Sequence, residues 1–190
     1  KVWRPIGRVG AAGTMPRPDR ALASAGAECG GHGLLFDGGG GTETAAGRAG
    51  VNLMKMDAIC LTHYHGDHIF GLPGLLQTLG GQGRTRPLAL YGPKGLGEPW
   101  AALRVLTGPL PYLVCPEVLD APAALCEKFG GWPQSAKLTP VPTRHRVISQ
   151  GYRPALPRAG RFPPQQARAS AVPVHHWHTP HPGDTTQPDG

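Results

Sequence analysis

The stretch Ala58-Ile59-Cys60-Leu61-Thr62-His63-Tyr64-His65-Gly66-Asp67-His68-Ile69-Phe70-Gly71-Leu72-Pro73-Gly74-Leu75-Leu76 decides how the rest of the chain is read. Ala58 to Leu61 is an apolar run bounded by Asp57 and Thr62, the pattern of a short buried strand. Ile69, Phe70, Leu72, Leu75, Leu76 and Leu79 then recur at helical spacing. Between them lie three histidines and one aspartate within six residues, in the order H-x-H-x-D-H. Imidazole and carboxylate are the side chains that hold zinc-like cations at close range. In an extended loop His63 and His65 point the same way, because side chains alternate with a period of two. Asp67 and His68 follow the bend at Gly66 and can address a neighbouring position. The bland alternative is a polar cluster capping the helix, with Asp67 as N-cap. A cap needs one such residue, and this loop has four.

Working outward, Leu34-Leu35-Phe36-Asp37 reads as a strand and Leu22 to Glu28 as a short segment able to pair with it. The run Gly38-Gly39-Gly40-Gly41-Thr42 invites a phosphate-loop reading but lacks the Gly-Lys-Ser/Thr ending that would make it specific. Thr42 and Glu43 begin a helix that Gly50 stops. Downstream, Pro87 to Tyr91 is a strand. Gly92-Pro93 opens a helix with Leu96, Trp100, Leu103 and Leu106 on one side. Leu138 to Val141 is another strand, and Thr143-Arg144-His145-Arg146 follows its end. His145 is thus a strand-end histidine, either structural or a further ligand. Strands alternating with helices through short connections predict an α/β fold.

Composition bounds the rest. The 190 residues suffice for one domain or for part of a larger one. Gly 29 and Pro 22 are high, so the folded part must be argued from periodicity, which is clear to about Tyr152. The net charge of +7 favours an anionic partner such as nucleic acid, although aromatic residues are sparse in the basic stretches. Cys29, Cys60, Cys115 and Cys126 show no C-x-x-C spacing and read as small core residues of a reduced, cytoplasmic protein. No apolar run nears the roughly 18 residues of a membrane span. A signal-peptide core is absent at the N-terminus, and Lys1 is not an initiator Met.

The segment from Leu61 to Leu76, with its extension G-D-H-I-F-G-L-P-G-L-L, resembles bacterial ribonuclease Z, the tRNA 3′-end endonuclease family of the metallo-β-lactamase superfamily. H-x-H-x-D-H alone marks only the superfamily. Leu90-Tyr91-Gly92-Pro93-Lys94-Gly95, Thr143-Arg144-His145, Gly151-Tyr152-Arg153 and Leu156-Pro157-Arg158-Ala159-Gly160-Arg161-Phe162 continue the match in order. The resemblance implies a metallo-β-lactamase fold (an αβ/βα sandwich), here incomplete and lacking its C-terminal part. It implies His63, His65 and His145 as ligands of one Zn2+, and Asp67 and His68 as ligands of a second. Asp67 matches the family's proton acceptor. The implied reaction removes the 3′ trailer of precursor tRNA by attack of metal-activated water on a phosphodiester. Arg153, Arg158 and Arg161, with Arg168, would contact substrate phosphates, and a homodimer is expected.

The departures carry their own expectations. The family's bridging aspartate and last histidine lie later than any match here: Pro182-Gly183-Asp184-Thr185 falls at a turn before the hairpin Asp189-Gly190. The second metal position is therefore expected to be incomplete, and the chain alone weakly active or inactive. F-D-C-G-E-G-T-Q appears as Phe36-Asp37-Gly38-Gly39-Gly40-Gly41-Thr42-Glu43, the family's first strand and L-G-T-G-A turn are blurred into Trp3 to Ala11, and Pro154 replaces an aromatic. Residues 1–152 are expected to form the N-terminal portion of the domain. Residues 153–190 are expected to form a Pro-, Arg- and His-rich arm or a disordered tail, in which His175, His176, His178 and His181 are a rival metal tract. Another hydrolase of the superfamily, or a catalytically impaired metal-binding fragment, stand as alternatives.

Overall fold

A computed structural model describes the backbone of residues 4–10 and residues 21–156 in full. The chain divides into two units after Leu156. Arg158, Arg161 and Arg168, the four tail histidines, Asp184 and the Asp189-Gly190 pair lie outside the described residues.

The larger sheet has six strands in sequence order: β1 (Arg4–Gly10), β2 (Ser24–Cys29), β3 (His32–Phe36), β4 (Met56–Cys60), β5 (Leu88–Gly92) and β6 (Val114–Val118). The first three pair antiparallel and β3 to β6 pair parallel. Parallel neighbours need crossovers, and helices supply them. These are α1 (Thr42–Arg48) after β3, α2 (Gly66–Ile69) and α3 (Leu72–Gly81) after β4, and α4 (Gly97–Thr107) after β5. A second, antiparallel sheet holds β7 (Ala123–Ala124), β8 (Lys137–Pro142) and β9 (Gln150–Ala155), with α5 (Leu125–Phe129) following β7.

The central strands β3, β4 and β5 are buried on both faces, so period-two alternation sorts their side chains between two cores. Leu35, Ile59, Leu88 and Leu90 face the helices and meet Ala46, Leu72, Leu75, Leu76, Leu79 and Leu103. Leu34, Ala58, Cys60, Ala89 and Tyr91 face the other way and meet Leu125, Trp132, Ala136 and Leu138. The layers are thus helices, large sheet, small sheet, an α/β arrangement as the sequence predicts. Among the described residues no helix is long and apolar enough to cross a membrane.

Several local expectations need correction. The apolar run after the metal loop is two helices, not one, and Phe70 falls at the break with 74% of its surface exposed. The break comes from backbone docking: Gly71 N donates to Gly38 O, and a Cβ on Gly71 would lie 2.1 Å from Gly39 O. Ile69 takes the inward position and α3 restarts the pattern at Leu72. In α4, which begins at Gly97 rather than Gly92, Leu106 is also exposed. Thr107 takes the buried place beside Leu103, its hydroxyl satisfied by Leu103 O (2.7 Å) and its carbonyl accepting from Gln77 Nε2. Cys29 and Cys60 are core residues as expected and Cys126 is half-buried, but Cys115 is exposed because β6 is the sheet's edge strand. All four are free thiols. The blurred N-terminal segment still forms β1, and β9 carries the chain past Tyr152 to Ala155.

Candidate metal centre

The candidate ligands gather at the carboxyl ends of the parallel strands, where the crossovers of an open α/β sheet leave a crevice. Leu61 N donates to Tyr91 O (2.7 Å) and holds the chain beside β5 for one more residue before it turns into the loop. His63 is buried, whereas His65 is exposed. Their ligand nitrogens and one of His145 all lie within 4.8 Å of one another, the one group of three or more such ligands among the described residues. Three imidazoles that close suit a zinc-like cation, whose structural and catalytic sites draw on this donor set. Asp67 and His68 adjoin them: the His63 and His68 ring centroids are 4.0 Å apart, and His68 Nε2 is 3.6 Å from Asp67 Oδ2. Asp67 does not cap α2, whose N-cap His65 makes no side-chain cap bond.

His145 reaches the loop from the β8–β9 connection. Gln150 N donates to Thr62 O (2.9 Å), and the Tyr152 hydroxyl donates to Leu61 O (2.7 Å), so the start of β9 is bound to the backbone of the metal loop. Gln150 Nε2 in turn reaches Leu119 O and the Tyr152 hydroxyl. Thr143 and Ser149 close the hairpin with hydroxyls 2.7 Å apart. His145 itself is exposed, and its Nδ1 accepts from Arg146 N (2.7 Å). With Nδ1 so engaged the neutral ring carries its proton on Nε2, and taking up a cation requires that bond to be released.

The residue that organises the loop from within is Asp37, just beyond the end of β3. It is buried, and its φ of 58° is the left-handed conformation that aspartate tolerates better than most residues. Its carboxylate accepts from Thr62 N (2.8 Å), from the Thr62 hydroxyl (3.0 and 3.1 Å) and from His68 Nδ1 (2.9 Å). The carboxylate can only accept, so Thr62 must give its single proton to Asp37. The His63 Nδ1, 2.9 Å from that hydroxyl, must then be the donor toward it. Both His63 and His68 are thereby held as Nδ1–H tautomers with Nε2 lone pairs free, the arrangement by which outer partners orient metal-binding histidines. Burial above all, then the neighbouring His68, and more weakly His145 and His65, push the His63 pKa down against the pull of Asp37, favouring the neutral form a cation needs. His68 moves the other way, chiefly through its hydrogen bond to Asp37.

The glycine run after Asp37 is a seat for this loop. Gly38 N donates to His68 O (2.7 Å), and a Cβ on Gly39 would stand 2.1 Å from Asp67 O. No side chain fits there, which accounts for the glycines by close approach of two backbones. Asp37, Thr62, Gln150 and Tyr152 carry no role in the sequence-level reading. The one signal for Asp37 is its place between a strand and that glycine run. Of the residues expected to contact phosphates, Arg153 is exposed on β9, paired with Thr139.

Comparison with known proteins agrees with the geometry. The chain is 36% identical to a ribonuclease Z of Agathobacter rectalis over 96% of its own length and 58% of the relative's. It is 38% identical to that of Lachnoclostridium phytofermentans over 95% and 58%. The structure of human tRNase Z, short form, superposes with a TM-score of 0.62 at 28% identity, over 80% of this chain and 64% of that one. The chain therefore spans somewhat more than half the length of the curated relatives it matches, and the resemblance to ribonuclease Z read from the loop motifs is borne out. A sequence model described as the metallo-beta-lactamase superfamily matches residues 29–151, from the end of β2 to the start of β9. By that match, and by the histidines it encloses, this chain belongs to the metallo-β-lactamase superfamily.

Proposed function

We propose that His63, His65 and His145 hold one Zn2+ and that Asp67 and His68 contribute to a second, in a protein that removes the 3′ trailer of precursor tRNA as a phosphodiester-cleaving endoribonuclease. The observation that carries this reading is the convergence of three histidine nitrogens within 4.8 Å at the strand ends, in a chain similar to ribonuclease Z along nearly its whole length. When bound, such cations supply Lewis acidity toward a phosphodiester and bring the pKa of water toward neutrality.

The chain's own residues do the rest. Asp37 and Thr62 hold His63 and His68 in one tautomer, and the contacts of Gln150 and Tyr152 bring His145 to them. Asp67, half-buried beside His68, would be the carboxylate that accepts a proton from water. Arg153, with Arg158 and Arg161, would neutralise substrate phosphates. Homodimerisation and a cytoplasmic location belong to the same proposal.

The test is metal content together with binding and cleavage of a 3′-extended tRNA. About one to two zinc ions per chain, and preference for the extended tRNA over an unrelated duplex, with any cleavage at the trailer lost in Asp67→Ala, would support the reading. Metal-dependent hydrolysis of a thioester or small phosphodiester without tRNA binding would replace it with another hydrolase of the superfamily.

A further inference from the structure

Phe70 is a large aromatic left in water by a fold that buries most of its neighbours. Scattered exposed apolar residues need no explanation, but the seating of this one is specific. Its ring lies on the Cα of Gly66: a Cβ built there would stand 2.3 Å from one ring carbon and 2.7 Å from two others. Gly66 is the residue between His65 and Asp67. One face of the ring is thus backed by the metal loop, while 74% of the residue is open to solvent. The short α2 and the docked Gly71 hold its backbone on either side.

The two segments that reach the same loop from elsewhere, the His145 hairpin and the turn at Pro93, carry positive charge. Arg144 and Arg146 flank His145 and are exposed. Lys94 is exposed in the turn after β5, and the Tyr64 hydroxyl, from the metal loop itself, donates to the carbonyl of the preceding Pro93 (2.5 Å). The hairpin that bears His145 also exposes Ile148. Cations that track a phosphate backbone, beside an aromatic face open to solvent, are how proteins grip an unpaired nucleic-acid strand. The basic stretches lack aromatic residues in sequence, but the metal loop that the His145 hairpin reaches carries one of its own, Phe70 against Gly66.

We propose that Phe70 is a stacking platform for the nucleobase next to the phosphate at the metal centre, with Arg144 and Arg146 holding the flanking phosphates. This rests on the function proposed above and names how the same site takes its strand: unpaired, with one base turned onto the ring. Arg144 and Arg146 act on any sequence, whereas the ring acts on the one base it meets.

The experiment uses the whole chain, metal-loaded, and an RNA hairpin with an unpaired 3′ extension. The extension carries 2-aminopurine at each unpaired position in turn, and an abasic residue in a parallel set. Stacking predicts quenching of fluorescence at one position on binding. Phe70→Ala should abolish that quenching and weaken binding roughly tenfold, while Phe70→Trp should keep both. An abasic residue at the same position should weaken the wild-type chain by a similar factor and add nothing to Phe70→Ala, because the two changes remove one contact. Arg144→Ala with Arg146→Ala should weaken intact and abasic RNA alike and reduce the salt dependence of binding. If the chain binds the hairpin and Phe70→Ala changes neither affinity nor quenching, the platform is overturned and the endonuclease reading stands. Failure of the wild-type chain to bind the hairpin overturns both.

Discussion

Asp37 and Asp57 are two buried aspartates at opposite ends of neighbouring parallel strands, and each gathers three donor groups. Asp37, just past the carboxyl end of β3, accepts from Thr62 N, the Thr62 hydroxyl and His68 Nδ1. Asp57, at the amino end of β4, accepts from Arg86 Nη1 (2.5 Å), His32 Nδ1 (2.9 Å) and Trp132 Nε1 (2.9 Å). The physics is shared: a carboxylate withdrawn from water is tolerable only when donors surround it. The difference lies in what the donors are free to do next. Arg86 also donates through Nη2 to Met54 O and Met56 O, and Trp132 packs against His32, so the Asp57 cluster joins β3, β4, the chain before β5 and the segment after α5. The side chains on Asp37 are one imidazole, His68, and the Thr62 hydroxyl that holds a second, His63, so the constraint is passed outward to the ligand loop. One end of the sheet is a lock and the other is a mount.

The largest expected effect falls on the lock. Asp57→Ala removes the carboxylate that Arg86, Trp132 and His32 share. Breaking a buried pair costs several kcal/mol, and the partly exposed Arg86 can rehydrate, so a loss of about 3 kcal/mol in unfolding free energy is expected. Urea unfolding of the metal-free chain measures it. Zinc affinity of the folded fraction should stay within about twofold, since distant sites add. A large fall in zinc affinity would mean the two ends of the sheet are coupled, and the contrast between the aspartates would fail.

The mount is probed by Asp37→Asn. The amide can still accept from Thr62, but one of its faces now donates, and it meets the proton on His68 Nδ1. Either that bond is lost or the His68 tautomer reverses and Nε2 no longer presents a lone pair. Loss of an outer partner of this kind costs roughly 10- to 100-fold in metal affinity. A competition titration against a chromophoric chelator reads it, and nitrogen chemical shifts of His68 report the tautomer. The stability loss should be smaller than for Asp57→Ala, because no guanidinium is stranded. Asp37→Asn with wild-type zinc affinity would make both aspartates merely structural.

This contrast shows what could be read along the chain and what could not. Strand β4, the ligand loop and the turn of α1 at Gly50 follow from local pattern: an unbroken apolar run, ligand spacing and a left-handed glycine. His145 needed the family resemblance, because its distance in sequence from His63 hides their proximity. Asp57 is legible only as a strand bound, and Asp37 only as a strand end within a family motif, with no role attached to either. Their partners lie 25 or more residues away, and period counting sees no further than one element. Phe70 misled for the opposite reason. Its spacing fits an inward helical face, but the helix that would carry it inward breaks where Gly71 docks on the glycine run. The glycine run itself was legible as a special backbone and not as a seat for Asp67, since the facing backbone comes from another crossover.

The smallest effect tests whether the mount is itself one piece or two. Tyr152→Phe deletes the bond to Leu61 O and the acceptor used by Gln150 Nε2, but leaves the ring against Phe36, with centroids 5.9 Å apart. A lost hydrogen bond of this kind costs about 1 kcal/mol. Gln150 N still holds Thr62 O, so His145 should stay in reach with more freedom, while His63 and His68 keep the support of Thr62 and Asp37. Zinc affinity should therefore fall by only a few-fold, well short of Asp37→Asn, and cobalt(II) spectra should report one weakened ligand with the others in place. A loss as large as that of Asp37→Asn would show that β9 and the Asp37 network rise and fall together. The carboxylate would then be fixing the whole imidazole cluster, with the His145 hairpin as part of its reach.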